Sequence, residues 1–135
     1  MENQAEHYPS EQNIEDYKLL GNMLDSLLIQ IAILSKKSPD GIMNLTKVKM
    51  INRILKPMKE EIFHNEPSSA FLDLLDEEQI PSNSDAVLVI SQYKTAIKEF
   101  EKSYCNSYGS WITLEGIQAS LQAEEDWNEE DEGET

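Results

Sequence analysis

The 135-residue chain is expected to fold as an all-α domain, a small single-domain bundle of four to five helices with acidic disordered ends. Three observations predict this. Apolar residues recur at steps of three and four along most of the sequence, the period of a helix with one buried face. The interruptions are short and rich in Pro, Gly, Asn and Ser, which suits tight connections between antiparallel neighbours. No self-similarity recurs at about 20–50 residues, so nothing in the pattern suggests a solenoid. The length fits one domain.

The first element is the best defined. Leu20, Leu24, Leu27, Ile31 and Leu34 step by 4, 3, 4 and 3, and Tyr17, Met23 and Leu28 widen the stripe. This predicts a helix over Glu11–Lys37 with a broad apolar face. Acids near its start (Glu11, Glu15, Asp16) and lysines at its end (Lys36, Lys37) suit the helix dipole. Ser38-Pro39-Asp40-Gly41 then makes a turn, with Pro presetting φ and Gly free to take a positive one. In the second element Val48, Ile51, Leu55, Met58 and Ile62 repeat the spacing, predicting a helix over Leu45–Phe63. Pro57 lies inside it. Proline lacks the N–H and clashes with the preceding turn, so a kink or a division into two is expected there.

A short third helix is expected over Ser69–Glu77, with Phe71, Leu74 and Leu75 on its apolar side. Ser82–Ser84 offers N-caps for a fourth. Ala86, Ile90, Tyr93, Ile97, Phe100 and Tyr104 carry that helix from Asp85 to Tyr104. The run Ala86–Ile90 alone would also suit a buried strand, and the helical stepping after it decides for helix. Cys105–Ser110 reads as a loop. Trp111, Leu114, Ile117 and Leu121 indicate a last helix, weakened by Gly116. Three regions follow: a disordered acidic segment 1–10, a helical domain 11–123, and a disordered acidic tail 124–135.

The charge is unevenly spread. The 26 Asp and Glu outnumber 11 Lys and Arg, for a net charge of −15. Residues 124–134 alone carry eight acids and no base, a block that repels itself. Direct binding to nucleic acid is disfavoured, because clustered Lys and Arg supply that affinity. An anionic membrane surface is disfavoured for the same reason, and the longest apolar-rich stretch, Leu27–Leu34, is short for a span. Met1–Ser10 has neither a basic nor an apolar signal region, and the lone Cys105 fits a reducing compartment. The expected location is the cytoplasm.

Recognisable reaction chemistry is thin. The histidines, His7 and His64, have no second ligand at metal spacing, so no metal site is predicted. The glycines form no phosphate-binding pattern and no cofactor is expected. Cys105 has no histidine near it in sequence to act as a base.

Three sets of residues are candidates for contact with a protein partner. The first is the stripe Leu20, Leu24, Leu27 and Ile31, wide enough to serve a core and a partner. A homodimer would bury that surplus symmetrically. The second is Phe71, Leu74 and Leu75, which match the Φ-x-x-Leu-Leu spacing of helical peptides that insert into grooves. The third is Lys49, Arg53 and Lys56, at i, i+4 and i+7 on one helix face. These lie among seven of the eleven bases, which fall between Lys36 and Lys59. That strip reads as the solvated face of an amphipathic helix, or as a dock for the acidic tail or for an acidic partner. The leading expectation is therefore a non-enzymatic protein-binding module: an adaptor, inhibitor or assembly factor. An acidic mimic of nucleic acid directed at a basic protein is the first alternative. An enzyme with a carboxylate pocket is the second.

Overall fold

Helix α1 spans Glu11–Lys37, the bounds that the periodicity predicts. The computed structural model describes residues 7–133, with side-chain surroundings through residue 128. Ser10 caps α1 reciprocally: its hydroxyl accepts from the Asn13 N–H, and the Asn13 side chain accepts from the Ser10 N–H. Two N–H groups at the helix entrance are thereby satisfied. Helix α2 runs Leu45–Pro57 behind an Asn44 cap, α3 runs Asn83–Tyr104 behind a Ser82 cap, and α4 runs Leu114–Gly133. The described residues are all-helical, with four α-helices, two short helical turns and no strand beyond isolated bridges. Ala86–Ile90 is helix, as its continuation implies.

Pro57 resolves its conflict by changing the helix type. The α-helix ends there and a π-helical turn follows at Met58–Ile62, closed by the Phe63 N–H on the Met58 carbonyl at 2.8 Å. Wider turns of this kind accommodate a missing rung in a helix. Met58, Ile62 and Phe63 stay buried through the change.

The expected helix over Ser69–Glu77 is not formed. Only a 3-10 turn at Pro67–Phe71 is present, and the chain beyond it is extended and turning. The reason is competition for its backbone. The Asn52 side chain donates to the Leu75 carbonyl at 2.8 Å and accepts from the Leu75 N–H at 2.9 Å. The Tyr93 hydroxyl donates to the Asp73 carbonyl at 2.9 Å. Groups that a helix would use internally are taken by neighbours, while Leu72 and Leu75 are buried.

The core is formed by α1, α2, the π turn and α3. α1 and α3 run antiparallel: the Tyr17 hydroxyl donates to Glu101 at 2.6 Å, and farther along Asp25 pairs with Lys94. Ile14, Tyr17, Leu24 and Ile31 are the buried residues of α1, facing Ile90, Tyr93, Ile97 and Phe100 of α3 in one cluster. Phe100 is its aromatic centre, with ring centroids 4.9 Å from Tyr17, 5.6 Å from Phe63 and 5.1 Å from Tyr104. Such pairs add about 0.5–1.5 kcal/mol each beyond their burial.

At the other end the 38–43 turn is bonded to the entrance of α3. The Asn83 N–H donates to the Gly41 carbonyl at 2.8 Å, and the Asn83 amide to the Ser38 carbonyl at 2.8 Å. Gly41 leaves room there for the Ser38 hydroxyl, which a Cβ would force to turn aside. Gly109, at φ +80°, makes the other tight turn.

The described residues reach into both acidic ends. Residues 1–6 lie outside the described region. Residues 7–10 are packed: Pro9 is buried, and Tyr8 meets Tyr104 edge-on at 5.8 Å. Across the expected boundary at 123, α4 continues as helix to Gly133. Its composition is rich in Leu, Gln, Ala and Glu, all good helix formers. Residues 134–135 lie outside the described region.

Asn52→Ala removes both clamps on Leu75 and is expected to lower stability by about 1–3 kcal/mol in urea unfolding. Gly21, mid-helix with nothing within 4 Å of an added Cβ, gives the opposite sign. Gly21→Ala is expected to raise stability by about 0.5–1 kcal/mol in the same measurement.

Candidate interaction surface

Helix α1 has more apolar surface than the core covers. Leu24 and Ile31 are fully used inside, and Leu20, Leu27 and Leu28 are partly covered. Leu24 and Ile31 are therefore core residues and do not form a partner-facing surface. The exposed apolar residues of α1 are a different set: Leu19 (61% exposed), Ile29 (64%) and Ile33 (52%), with Met23 beside them. At about 100° per residue these lie on the side of α1 opposite Leu24. By length and composition α1 is even long and apolar enough to cross a membrane, yet only 11% of its most apolar window is buried. The expectation based on the short run Leu27–Leu34 understated this surplus.

The outer face has an order of its own. Glu15, Leu19, Asn22, Ser26, Ile29, Ile33 and Lys36 step by 4, 3, 4, 3, 4 and 3, and every one is exposed. An acid begins the seam, a base ends it, leucine and isoleucines flank the middle, and a small serine lies near its centre. Read in reverse, the outer pairs of the seam complement each other, Ser26 meets itself and Asn22 falls opposite Ile29. Aligned antiparallel about Ser26, Leu19 faces Ile33 of a second copy and Glu15 faces Lys36. The signal was legible in the sequence, hidden by the stronger stripe that becomes the core.

The second predicted set is divided. Phe71 is 76% exposed, Leu74 is partly covered and Leu75 is buried. Without a helix at Ser69–Glu77, the Φ-x-x-Leu-Leu residues share no helical face. The third set holds together. Lys49, Arg53 and Lys56 are exposed and, with Asn52, Pro57 and Glu77, line a shallow groove of about 340 Å³. Asp76, just before Glu77, accepts from the N–H groups of Gln79 and Glu78, which holds its carboxyl below the ordinary value.

A cavity of about 350 Å³ lies between α1 and α3, open to solvent and floored by Gly21. Its carboxylates are engaged, Asp25 with Lys94 and Glu101 with the Tyr17 hydroxyl. Burial, then the Glu101 hydrogen bond, pushes the Tyr17 phenol far up, so it stays protonated as a donor. Tyr104, raised by burial and by its bond to Glu66, and Tyr93, raised by burial, are likewise donors. Of the late aromatics, Tyr93, Tyr104 and Trp111 belong to or pack on the core, and Tyr108 is fully out in its loop. Cys105 is partly covered and unpaired. Among the described residues no group of three His, Cys, Asp or Glu gathers at metal-binding range.

No family model, no curated protein and no solved structure matches this chain.

The Asp76 turn is expected to be pH-sensitive. Its folded pKa is depressed, so the turn is supported above the unfolded carboxylate pKa and loses that support as pH falls through the folded value. Protection of the Glu78 and Gln79 amides, measured against the intrinsic exchange rate at each pH, is expected to fall on acidification, and to be low already at neutral pH in Asp76→Ala.

Proposed function

We propose that the chain is a non-enzymatic protein-binding module that works through the outer face of α1 and pairs there with a second copy of itself. The observation that carries this is the exposed seam Glu15–Leu19–Asn22–Ser26–Ile29–Ile33–Lys36, whose pairs Leu19 with Ile33 and Glu15 with Lys36 complement each other when two copies are aligned antiparallel. Isologous pairing about a twofold axis is the commonest way for a chain to cover such a face. The paired stretch, Glu15 to Lys36, is about 32 Å of helix. One helix pair of this length lies at the lower end of specific interfaces, which favours micromolar rather than nanomolar association.

A lipid covering of the same face is less well supported. Asn22, Asp25, Ser26 and Gln30 interrupt it, and Asp25 is committed to Lys94. Polar and charged groups at membrane depth are expensive. The nucleic-acid-mimic reading calls for an organised acidic face, whereas residues 17–123 carry 13 acids against 11 bases. The enzyme reading calls for a carboxylate free to act, and those of the α1–α3 cavity already have partners.

The test is sedimentation velocity over a concentration series. The wild type is expected to shift from monomer to dimer in the micromolar range. Leu19→Asp with Ile33→Asp is expected to weaken dimerisation at least about a hundredfold, as desolvated anchors do when made polar. Both side chains point to solvent in the single chain, so the helical circular dichroism is expected to be unchanged. A wild type that stays monomeric throughout contradicts the proposal.

A further inference from the structure

We infer that the acidic helix α4 of one copy lies along the basic face of α2 of the second copy, with Trp127 seated over Lys49, Arg53, Lys56 and Pro57. This rests on the antiparallel self-association through α1 proposed above, and it names a second contact within that assembly.

Two unmatched surfaces motivate it. On α2, Lys49, Arg53 and Lys56 surround a shallow groove with Pro57 in its wall. The ion pairs among the described residues are Lys18–Glu15 and Lys94–Asp25, so among those residues none of these three cations is matched. On α4, every described side chain after Ile117 is exposed, and Trp127 is 68% exposed. Glu124 and Trp127 lie three apart on one side of the helix, and the acids continue in sequence through Glu129, Glu130, Asp131 and Glu132. The last turn of α4 has no base. Acids at a helix C-terminus oppose its dipole, so cations from outside are what this helix lacks. An indole resting on Lys and Arg side chains adds a cation–π contact to the charge pairing.

The topology puts the two surfaces within reach of each other. α4 begins at the N-terminal end of α1: the Glu11 N–H donates to the Glu115 carboxylate at 2.8 Å, and the Leu114 N–H to the Pro9 carbonyl at 2.8 Å. The basic stretch begins at the opposite end of α1, with Lys36 and Lys37, and continues through α2. Antiparallel pairing of two α1 helices brings the partner's Lys36–Lys37 end beside the start of this chain's α4, and the partner's α2 runs on from that end. Each dimer then holds two such contacts, related by the same twofold axis.

The test uses the full chain and two exposed triple variants, followed by sedimentation velocity. Lys49→Glu/Arg53→Glu/Lys56→Glu makes the chain more negative, and Glu124→Lys/Glu125→Lys/Asp126→Lys makes it less so. Each is expected to weaken homodimerisation about tenfold or more, by loss of several ion pairs twice over. An equal mixture of the two is expected to recover wild-type affinity, because each reversed α4 then meets a reversed α2. Trp127→Ala is expected to weaken the dimer, and so is raising salt from about 50 to about 500 mM. If the dimer forms but neither triple variant weakens it, the α4 contact is wrong while the α1 pairing stands. If the α4 triple tightens association while the α2 triple loosens it, general repulsion explains the data and the inference is overturned. A wild type monomeric to about 100 μM, too weak for the micromolar pairing on which it rests, overturns both.

Discussion

The antiparallel packing of α1 on α3 is the contact on which the rest of the molecule depends. It buries Tyr17, Leu24 and Ile31 against Ile90, Tyr93 and Phe100, and the aromatic group around Phe100 draws in the π turn through Phe63. The same group recruits the chain after α3: Trp111 lies 5.2 Å from Tyr17 and 5.8 Å from Phe100, ring to ring. That placement sets where α4 starts. A 27-residue helix that meets the core on one side only must also present its far side to something. With Leu19, Met23, Ile29 and Ile33 there, water is a poor partner for it.

The irregular half of the fold is held by side chains bonding to backbone. Asn52 clamps Leu75, Tyr93 takes the Asp73 carbonyl, Asn83 takes the Ser38 carbonyl, and Glu115 reaches the first N–H of α1. Each satisfies backbone groups that lack a helical partner. The last also places a carboxylate at a helix N-terminus, where the dipole favours it. These bonds tie both ends of the α1–α2–α3 unit, so the position of the basic face on α2 and the starting point of α4 follow from the core.

Periodicity made the regular elements legible. The limits of α1 and the C-terminus of α3 were readable from apolar steps, because one buried face dictates every third or fourth residue. The change of helix type at Pro57 was readable from the missing N–H, although its π form was not. The segment after Phe71 was misread because its fate lies with Asn52, 23 residues earlier, whose amide outcompetes a local helix. The continuation of α4 past Ala123 follows from helix propensity, a weaker signal in this stretch than its run of acids. At the surface, the strongest stripe belonged to the core, as Leu24 and Ile31 show. The weaker seam through Leu19, Ser26 and Ile33 is the one left outside, and only the position of α3 tells the two apart.

Helix α1 thus has two faces, one closed by α3 and the other, as proposed above, by a second α1. Cysteine cross-linking along the outer seam tests this most directly, in a Cys105→Ser background. Antiparallel pairing about Ser26 predicts that Ser26→Cys oxidises readily to a dimer with itself. It also predicts that Leu19→Cys and Ile33→Cys cross-link with each other when mixed but hardly at all alone, since disulfides need Cα atoms within about 7 Å. Self-linking of Leu19→Cys and Ile33→Cys as fast as Ser26→Cys, or no linking at any of the three positions, contradicts the pairing.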